Sequence, residues 1–293
     1  MLIEPKFTKL LWPGQPKSTQ KKRLLEEKTI VASVILAAGR GSRMKEFNGN
    51  KTLLPLKPGE TPYKGTQSIL LQILSSLPEG PKALVVHHRK EAVIEATRGL
   101  NLTYCTQPKL NGTGGGLLAA QSFIESQDCN QIIITMGDVP FVKKATYVSL
   151  VKGLSDSSLV VLGFCPESKK QYGVLEIQGT QVCKIIEWKY WKEYPKAKQQ
   201  TLRICNSGIY AARKEDLLRY LKVLASRPHR VQKEIDGKPE EVEEYFITDL
   251  VEYVHEDGLS VGFVISEDEN EVMGVDDFSA LLKAQKIYKT RHL

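Results

Sequence analysis

The chain has 293 residues, 41 basic and 34 acidic side chains and a net charge of +7, with 41% apolar and 26% charged residues. Such a composition excludes a disordered chain, and the length suits one large α/β domain or two small ones. The longest uncharged apolar run, residues 30–38, is far short of the ~20 that a membrane-spanning helix needs, and no signal-like apolar core opens the chain, so a cytoplasmic protein without a membrane partner is expected.

In chain order, residues 1–28 carry seven basic and three acidic side chains, a net +4, together with Pro5, Pro13 and Pro16. They read as a solvated basic extension that packs through Leu10, Leu11 and Trp12. No aromatic interleaving or basic groove accompanies the charge, so nucleic acid is not an expected partner. From residue 29 to 293 a single domain is expected. Residues 31–37 form an apolar run without alternation, the pattern of a strand buried on both faces. Strands follow over 83–88, 102–106 and 131–136, with helical periods over 67–75, 117–124 and 144–153. His87 and His88 end the second strand, and one of them is expected to face the core. The second half predicts strands over 159–164, 174–177, 182–186, 204–211 and 261–265, and helices over 215–225, 246–255 and 278–288. The close pair around Gly179-Thr180 reads as a β-hairpin, so this half is not all parallel. The fold class is therefore α/β and Rossmann-like, a mixed, mostly parallel sheet with helices on both faces. Five scattered cysteines without a C-x-x-C pair imply neither a disulfide framework nor a zinc ribbon.

Three strand ends carry the chemistry. The first runs into Leu36-Ala37-Ala38-Gly39-Arg40-Gly41-Ser42-Arg43-Met44. A buried first strand that ends in a glycine-rich turn is where doubly wound sheets bind phosphates. Arg43 adds a planar permanent cation and Lys51 a point charge. The spacing fits neither a P-loop nor a G-x-G-x-x-G fingerprint. A second glycine cluster, residues 111–116, lies between a strand ending at Gln107 and an apolar helix. Gln107 carries a donor and an acceptor, which suits a nucleobase edge. The third strand ends in Gly137-Asp138-Val139-Pro140, and Asp138 is placed to hold Mg²⁺, which takes oxygen ligands and phosphates. Near the C-terminus, Asp277 reads as a helix N-cap and Asp276 as a second metal ligand. The acidic runs 240–244 and 267–271 read as solvated faces.

These blocks, with Tyr172-Gly173, Ile185-Ile186-Glu187, residues 206–210, residues 244–249 and Gly274-Val275-Asp276, stand in an order that resembles the sugar-phosphate nucleotidyltransferases. The nearest resemblance is to the nucleotidyltransferase domain of N-acetylglucosamine-1-phosphate uridyltransferase, over roughly residues 31–285. It implies the nucleotide-diphospho-sugar transferase type of sheet and a Mg²⁺-dependent reaction. A sugar 1-phosphate attacks the α-phosphorus of a nucleoside triphosphate, UTP being favoured, and pyrophosphate leaves. It also implies roles. Ala38, Gly39, Arg40, Gly41 and Ser42 would bind the nucleotide's phosphates with Arg43 and Lys51, while Gln107, Gly112 and Thr113 would bind its base. Gly173, Glu187 and Asn206 would contact the sugar, and Asp138 and Asp276 the metal.

Departures are visible. Asparagine usually stands where this chain has Asp276, and proline where it has Asn50. Residues 57–66 replace a shorter apolar turn. The hexapeptide repeats of an acetyltransferase β-helix are not found in the 293 residues, so acetyl transfer is not expected. Another nucleotide or phosphorylated acceptor, or a non-catalytic regulator that binds a nucleotide sugar, remains an alternative.

Overall fold

The computed structural model describes residues 30–41, 43–44, 47–235 and 238–292. The basic extension and Ser42 lie outside them. Among the described residues there are thirteen strands. The first half holds β1 (Ala32–Leu36), the hairpin β2 (Pro55–Thr61) and β3 (Lys64–Ser68), then β4 (Lys82–Val86), β5 (Leu102–Thr106) and β6 (Gln131–Met136). The second half holds β7 (Leu159–Phe164), β8 (Val174–Gln178), β9 (Gln181–Ile186) and β10 (Cys205–Arg213). A second hairpin, β11 (His229–Ile235) and β12 (Lys238–Glu244), precedes β13 (Val261–Ser266).

The main sheet runs β13-β7-β10-β6-β1-β4-β5, with β8 and β9 branching from β10. β1 is parallel to β4 and β6, β4 to β5, and β7 to β13. Only β10 on this path runs against its neighbours, pairing antiparallel with β6 and β7. The sheet is mixed and mostly parallel, as expected. Alternate residues of each central strand feed two separate cores. Ile35, Leu84 and Ile133 pack beneath helices Ile69–Ser76, Lys144–Gly153 and Phe278–Arg291. Val34, Val85 and Ile134 pack beneath helices Gly112–Ala119, Lys214–Ser226 and Asp249–Glu256. Helices thus cover both faces, which is why the central strands read as unbroken apolar runs.

Several local expectations are corrected. Neither His87 nor His88 is buried; the core ends at Val86, and His87 Nδ1 instead meets the Gln107 carbonyl at 2.7 Å. The segment 57–66, where a shorter apolar turn stands in the family it resembles, forms most of the hairpin β2–β3. In the acidic run 267–271, Glu271 is 3% exposed. Its carboxylate accepts from Lys143 N (2.9 Å), Thr146 Oγ1 and Ser266 Oγ (3.0 Å), and so caps helix Lys144–Gly153. The run 240–244 lies on β12. Asp277 does cap its helix, accepting from Ala280 N at 2.8 Å. All five cysteines are free. Among the described residues, no helix is long and apolar enough to cross a membrane.

Candidate active site

At the carboxyl edge of the parallel strands, β1 leads into residues 37–41 and β6 into Gly137 and Asp138. Gly137 is required by a close approach: a Cβ there would lie 2.8 Å from the Leu36 carbonyl oxygen. Its absence lets the end of β6 sit against the end of β1, with Gly137 N donating to Leu36 O at 2.9 Å. Asp138 is thereby brought beside the glycine-rich loop after β1. Its backbone carbonyl accepts from Val275 N at 2.9 Å, which ties the C-terminal segment, and Asp276 with it, into the same corner.

The Lys51 ammonium sits between the two carboxylates. It donates to Asp138 Oδ2, and to Asp276 Oδ1 at 2.9 Å, while Arg43 approaches Asp276 Oδ2 at 3.7 Å. Burial opposes the ammonium charge, but Asp138 and Asp276 outweigh it and push the Lys51 pKa up to about 12. Burial likewise opposes ionisation of Asp276, yet Lys51 and then Arg43 hold its carboxyl below the usual range. The extra charge that aspartate brings to position 276 is thus matched by two cations. The donor set is oxygen only, from two carboxylates that converge on one cation. This fits Mg²⁺, which protein sites hold through one or two carboxylates plus substrate phosphates. Among the described residues, no group of three His, Cys, Asp or Glu forms a closed metal cage.

Asn50 is the residue whose importance the sequence does not reveal. It is 1% exposed, and its amide makes four contacts. Oδ1 accepts from Thr52 N (3.0 Å) and Thr52 Oγ1 (2.8 Å), capping the short 3₁₀ turn Lys51–Leu53. Nδ2 donates to His88 O (2.9 Å) and Ala37 O (3.4 Å). One side chain therefore ties the start of the Lys51 turn to the ends of both β1 and β4.

Past β5, the glycine cluster is not a loop before a helix but the helix Gly112–Ala119 itself. The reason is crowding against residue 245. A Cβ on Gly114 would lie 2.7 Å from the Tyr245 carbonyl carbon, and Gly114 N donates to Tyr245 O at 2.8 Å. Thr113 is partly used by the fold, since its Oγ1 accepts from Ile247 N at 3.2 Å. Gln107 is buried, and its Nε2 donates to Asn111 Oδ1 (2.9 Å) and to the Gly112 carbonyl (3.1 Å). A backbone carbonyl can only accept, so it settles which end of the amide is the nitrogen. Oε1 accepts no hydrogen bond from the described residues.

Two spaces meet here. A pocket of about 340 Å³ is lined by Ala38, Gly39, Arg40, Lys51, Gln107 and Gly112, among others. A cleft of about 1130 Å³ adjoins it, reaching Arg43, Asp276, Glu187 and Asn206; Thr113, Met136 and Asp138 border both. Gly173 lies against Glu187, where a Cβ would stand 3.5 Å from Oε2, and its carbonyl accepts from Asn206 N at 2.8 Å. Asn206 is held by its own chain, Nδ2 donating to Tyr210 OH (2.9 Å) and Oδ1 accepting from Gly208 N (3.0 Å). Burial raises the Glu187 pKa above the usual carboxylate value, against its hydrogen bond with Thr248. The described residues expected at the site are brought together around these two spaces, and Gly41 remains on the loop beside Lys51. The cleft also has walls that the sequence reading passed over: the pairs His229–Asp249 (2.8 Å) and Lys184–Glu252 (2.6 Å), and the rings of Trp188, Tyr190 and Tyr194. The aromatic residues left a signal, the run Trp-Lys-Tyr-Trp-Lys-Glu-Tyr directly after Glu187. His229 left none.

The sequence pattern of the MobA-like NTP transferase domain matches residues 33–203, more than half of the chain. The chain belongs to this family. Among relatives of this chain, the bifunctional protein GlmU of Novosphingobium aromaticivorans is 28% identical over 267 residues, covering 89% of this chain and 53% of the relative. The GlmU protein of Francisella tularensis subsp. novicida is 28% identical over 260 residues, 87% of this chain and 51% of its own. The chain thus spans about half the length of these relatives. In three dimensions it is similar to the uridine diphosphate N-acetylglucosamine pyrophosphorylase of Trypanosoma brucei, crystallised with an inhibitor. The TM-score is 0.68 at 14% identity, over 88% of this chain and 65% of that one. At that identity the likeness establishes the fold, that of the nucleotide-diphospho-sugar transferases.

Proposed function

We propose that this NTP transferase joins a sugar 1-phosphate, N-acetylglucosamine 1-phosphate or a related hexose phosphate, to UTP and releases pyrophosphate. The observation that carries the reading is the meeting of two spaces at Asp138. A glycine-walled pocket with Lys51 adjoins a wider cleft with Glu187 and Asn206, so both substrates can reach one carboxylate corner. The similarity to a pyrophosphorylase for a uridine diphosphate sugar supports it.

Residues 38–41 offer backbone N–H groups to the nucleotide's phosphates, and Arg43 and Lys51 neutralise the leaving pyrophosphate. Asp138 and Asp276 would hold Mg²⁺. What the metal supplies when bound is charge neutralisation on the phosphates. The nucleophile is a phosphate monoester, whose second pKa near ~6 leaves it charged at neutral pH, so no side-chain base is needed. Gln107 Oε1, left as an acceptor, suits the imide N–H of uracil; cytosine presents an acceptor at the same ring position. Glu187 and Asn206 orient the sugar.

The test is pyrophosphate release with Mg²⁺, crossing UTP, CTP, ATP, GTP and dTTP against a panel of sugar 1-phosphates. A productive pair with UTP, abolished in Asp138→Ala, is the expected result. Turnover with CTP but not UTP would overturn the base assignment, and silence across the panel would overturn the reaction.

A further inference from the structure

The wider cleft continues well past the carboxylate corner. It spans about 1130 Å³, and its lining runs from Arg43, Asp138 and Asp276 at the carboxylate corner to Tyr190, His229 and Glu252. Trp188, Tyr190 and Tyr194 line its wall next to Glu187.

These rings are held rather than left over. On the helix Trp188–Trp191, Trp191 is the anchor: it is 6% exposed, and its Nε1 donates to the Tyr172 carbonyl at 2.9 Å. With the helix pinned in this way, Tyr190 remains 53% exposed at the cleft. Lysines brace the rings, Lys189 at 4.7 Å from the Tyr190 centroid, Lys192 at 4.7 Å from Trp188 and Lys198 at 4.2 Å from Tyr194. The same stretch of cleft carries hydrogen-bonding groups, His229 with Asp249 and Lys184 with Glu252. An apolar ligand would strip water from those pairs and offer no hydrogen bond in return. A polyanion would meet Glu187, Glu193, Asp249 and Glu252. A sugar ring has both properties needed, a flat C–H face for an aromatic ring and an edge of hydroxyls for carboxylates, imidazole and ammonium.

We propose that the cleft beyond Glu187 and Asn206 is a second acceptor subsite that takes a further sugar ring, so that the acceptor is a glycosyl 1-phosphate of at least two rings. This inference rests on the sugar 1-phosphate reading. Tyr190 is its platform, with Trp188 and Tyr194 beside it.

The experiment compares binding of N-acetylglucosamine 1-phosphate with that of its β1,4-linked disaccharide 1-phosphate. Calorimetry on the full chain, with Mg²⁺ and a non-hydrolysable UTP analogue, reads the affinities. The disaccharide phosphate is expected to bind about fivefold tighter, the gain of one aromatic stacking contact. In Tyr190→Ala the ratio of the two affinities falls to about one, and Tyr190→Trp restores it. The exposure of Tyr190 makes these variants compatible with folding, and circular dichroism checks this. A one-ring phosphate that binds as well as or better than the two-ring phosphate overturns the subsite alone. So does a ratio that Tyr190→Ala leaves intact. If neither sugar phosphate binds while the nucleotide analogue does, the sugar reading falls and the subsite with it.

Discussion

At the residue scale, the site depends on side chains whose partners lie far away in sequence. Arg43 is mostly exposed, and its ion pair among the described residues is with Asp276, so Arg43→Ala should leave the fold intact and lower kcat on the order of 10²–10³, the cost of losing one charge-stabilising group. Near-normal turnover would remove it from the reaction. Asn50 is the opposite case. Asn50→Ala strands the part-buried His88 carbonyl and the buried Thr52 amide, which should cost about 2–3 kcal/mol in urea denaturation and lower kcat as Lys51 loses its fixed position. Asn50→Asp keeps the contacts to Thr52 but loses the donor, so it should fall between. Glu187 has a raised pKa, so its carboxylate is protonated at a higher pH than an ordinary glutamate. Acceptor KM should therefore rise as pH falls toward that value. Glu187→Gln, which resembles the protonated form, should show the high KM throughout; a KM that follows pH equally in both proteins would acquit Glu187.

At the element scale, two devices hold the frame. Helix Lys144–Gly153 starts at a lysine, a poor cap, and its first turn is completed by Glu271 from 125 or more residues away. That carboxylate is 4% exposed and accepts three hydrogen bonds, so Glu271→Ala should cost about 3 kcal/mol, read as a lower denaturation midpoint. An unchanged midpoint would mean that the helix is held by packing alone. The other device is β10. Because it runs antiparallel between β6 and β7, it brings Asn206 to the cleft on a strand irregular between residues 206 and 210. The hairpin at Gly179 was legible from its turn residues. The hairpins β2–β3 and β11–β12 were not, since both are polar and lack the alternation that marks a half-buried strand.

At the scale of the whole molecule, the sheet gathers the cations and carboxylates of the site into one linked group. The Lys51 pKa is raised from 10.5 to about 12, so its charged form stabilises the fold. That contribution is complete below pH 10.5 and is lost as pH rises toward 12. Lys51→Met should therefore lower Tm most below this window, and its Tm should converge on that of the wild type as pH rises through it. A constant difference would show that the loss is one of packing rather than charge. The same clustering explains why the sequence carried so much of the fold. The five central strands β1, β4, β6, β7 and β10 are buried on both faces, and such strands leave continuous apolar runs.

The sequence by itself determined the α/β class, the strands of the main sheet, the glycine-rich loop after β1, and Gln107 and Asp138 at strand ends. Each of these is local, because a strand run and the residues that leave it are neighbours in the chain. Only the tertiary structure decided that Lys51 bridges Asp138 and Asp276, the latter 225 residues away, and that Asn50 holds the Lys51 turn. It likewise decided that Glu271 is buried, and that Tyr190 faces a cleft while Trp191 is anchored. Burial and pairing belong to the packing of distant elements, and a local pattern of residue types holds no record of which neighbours the sheet will bring.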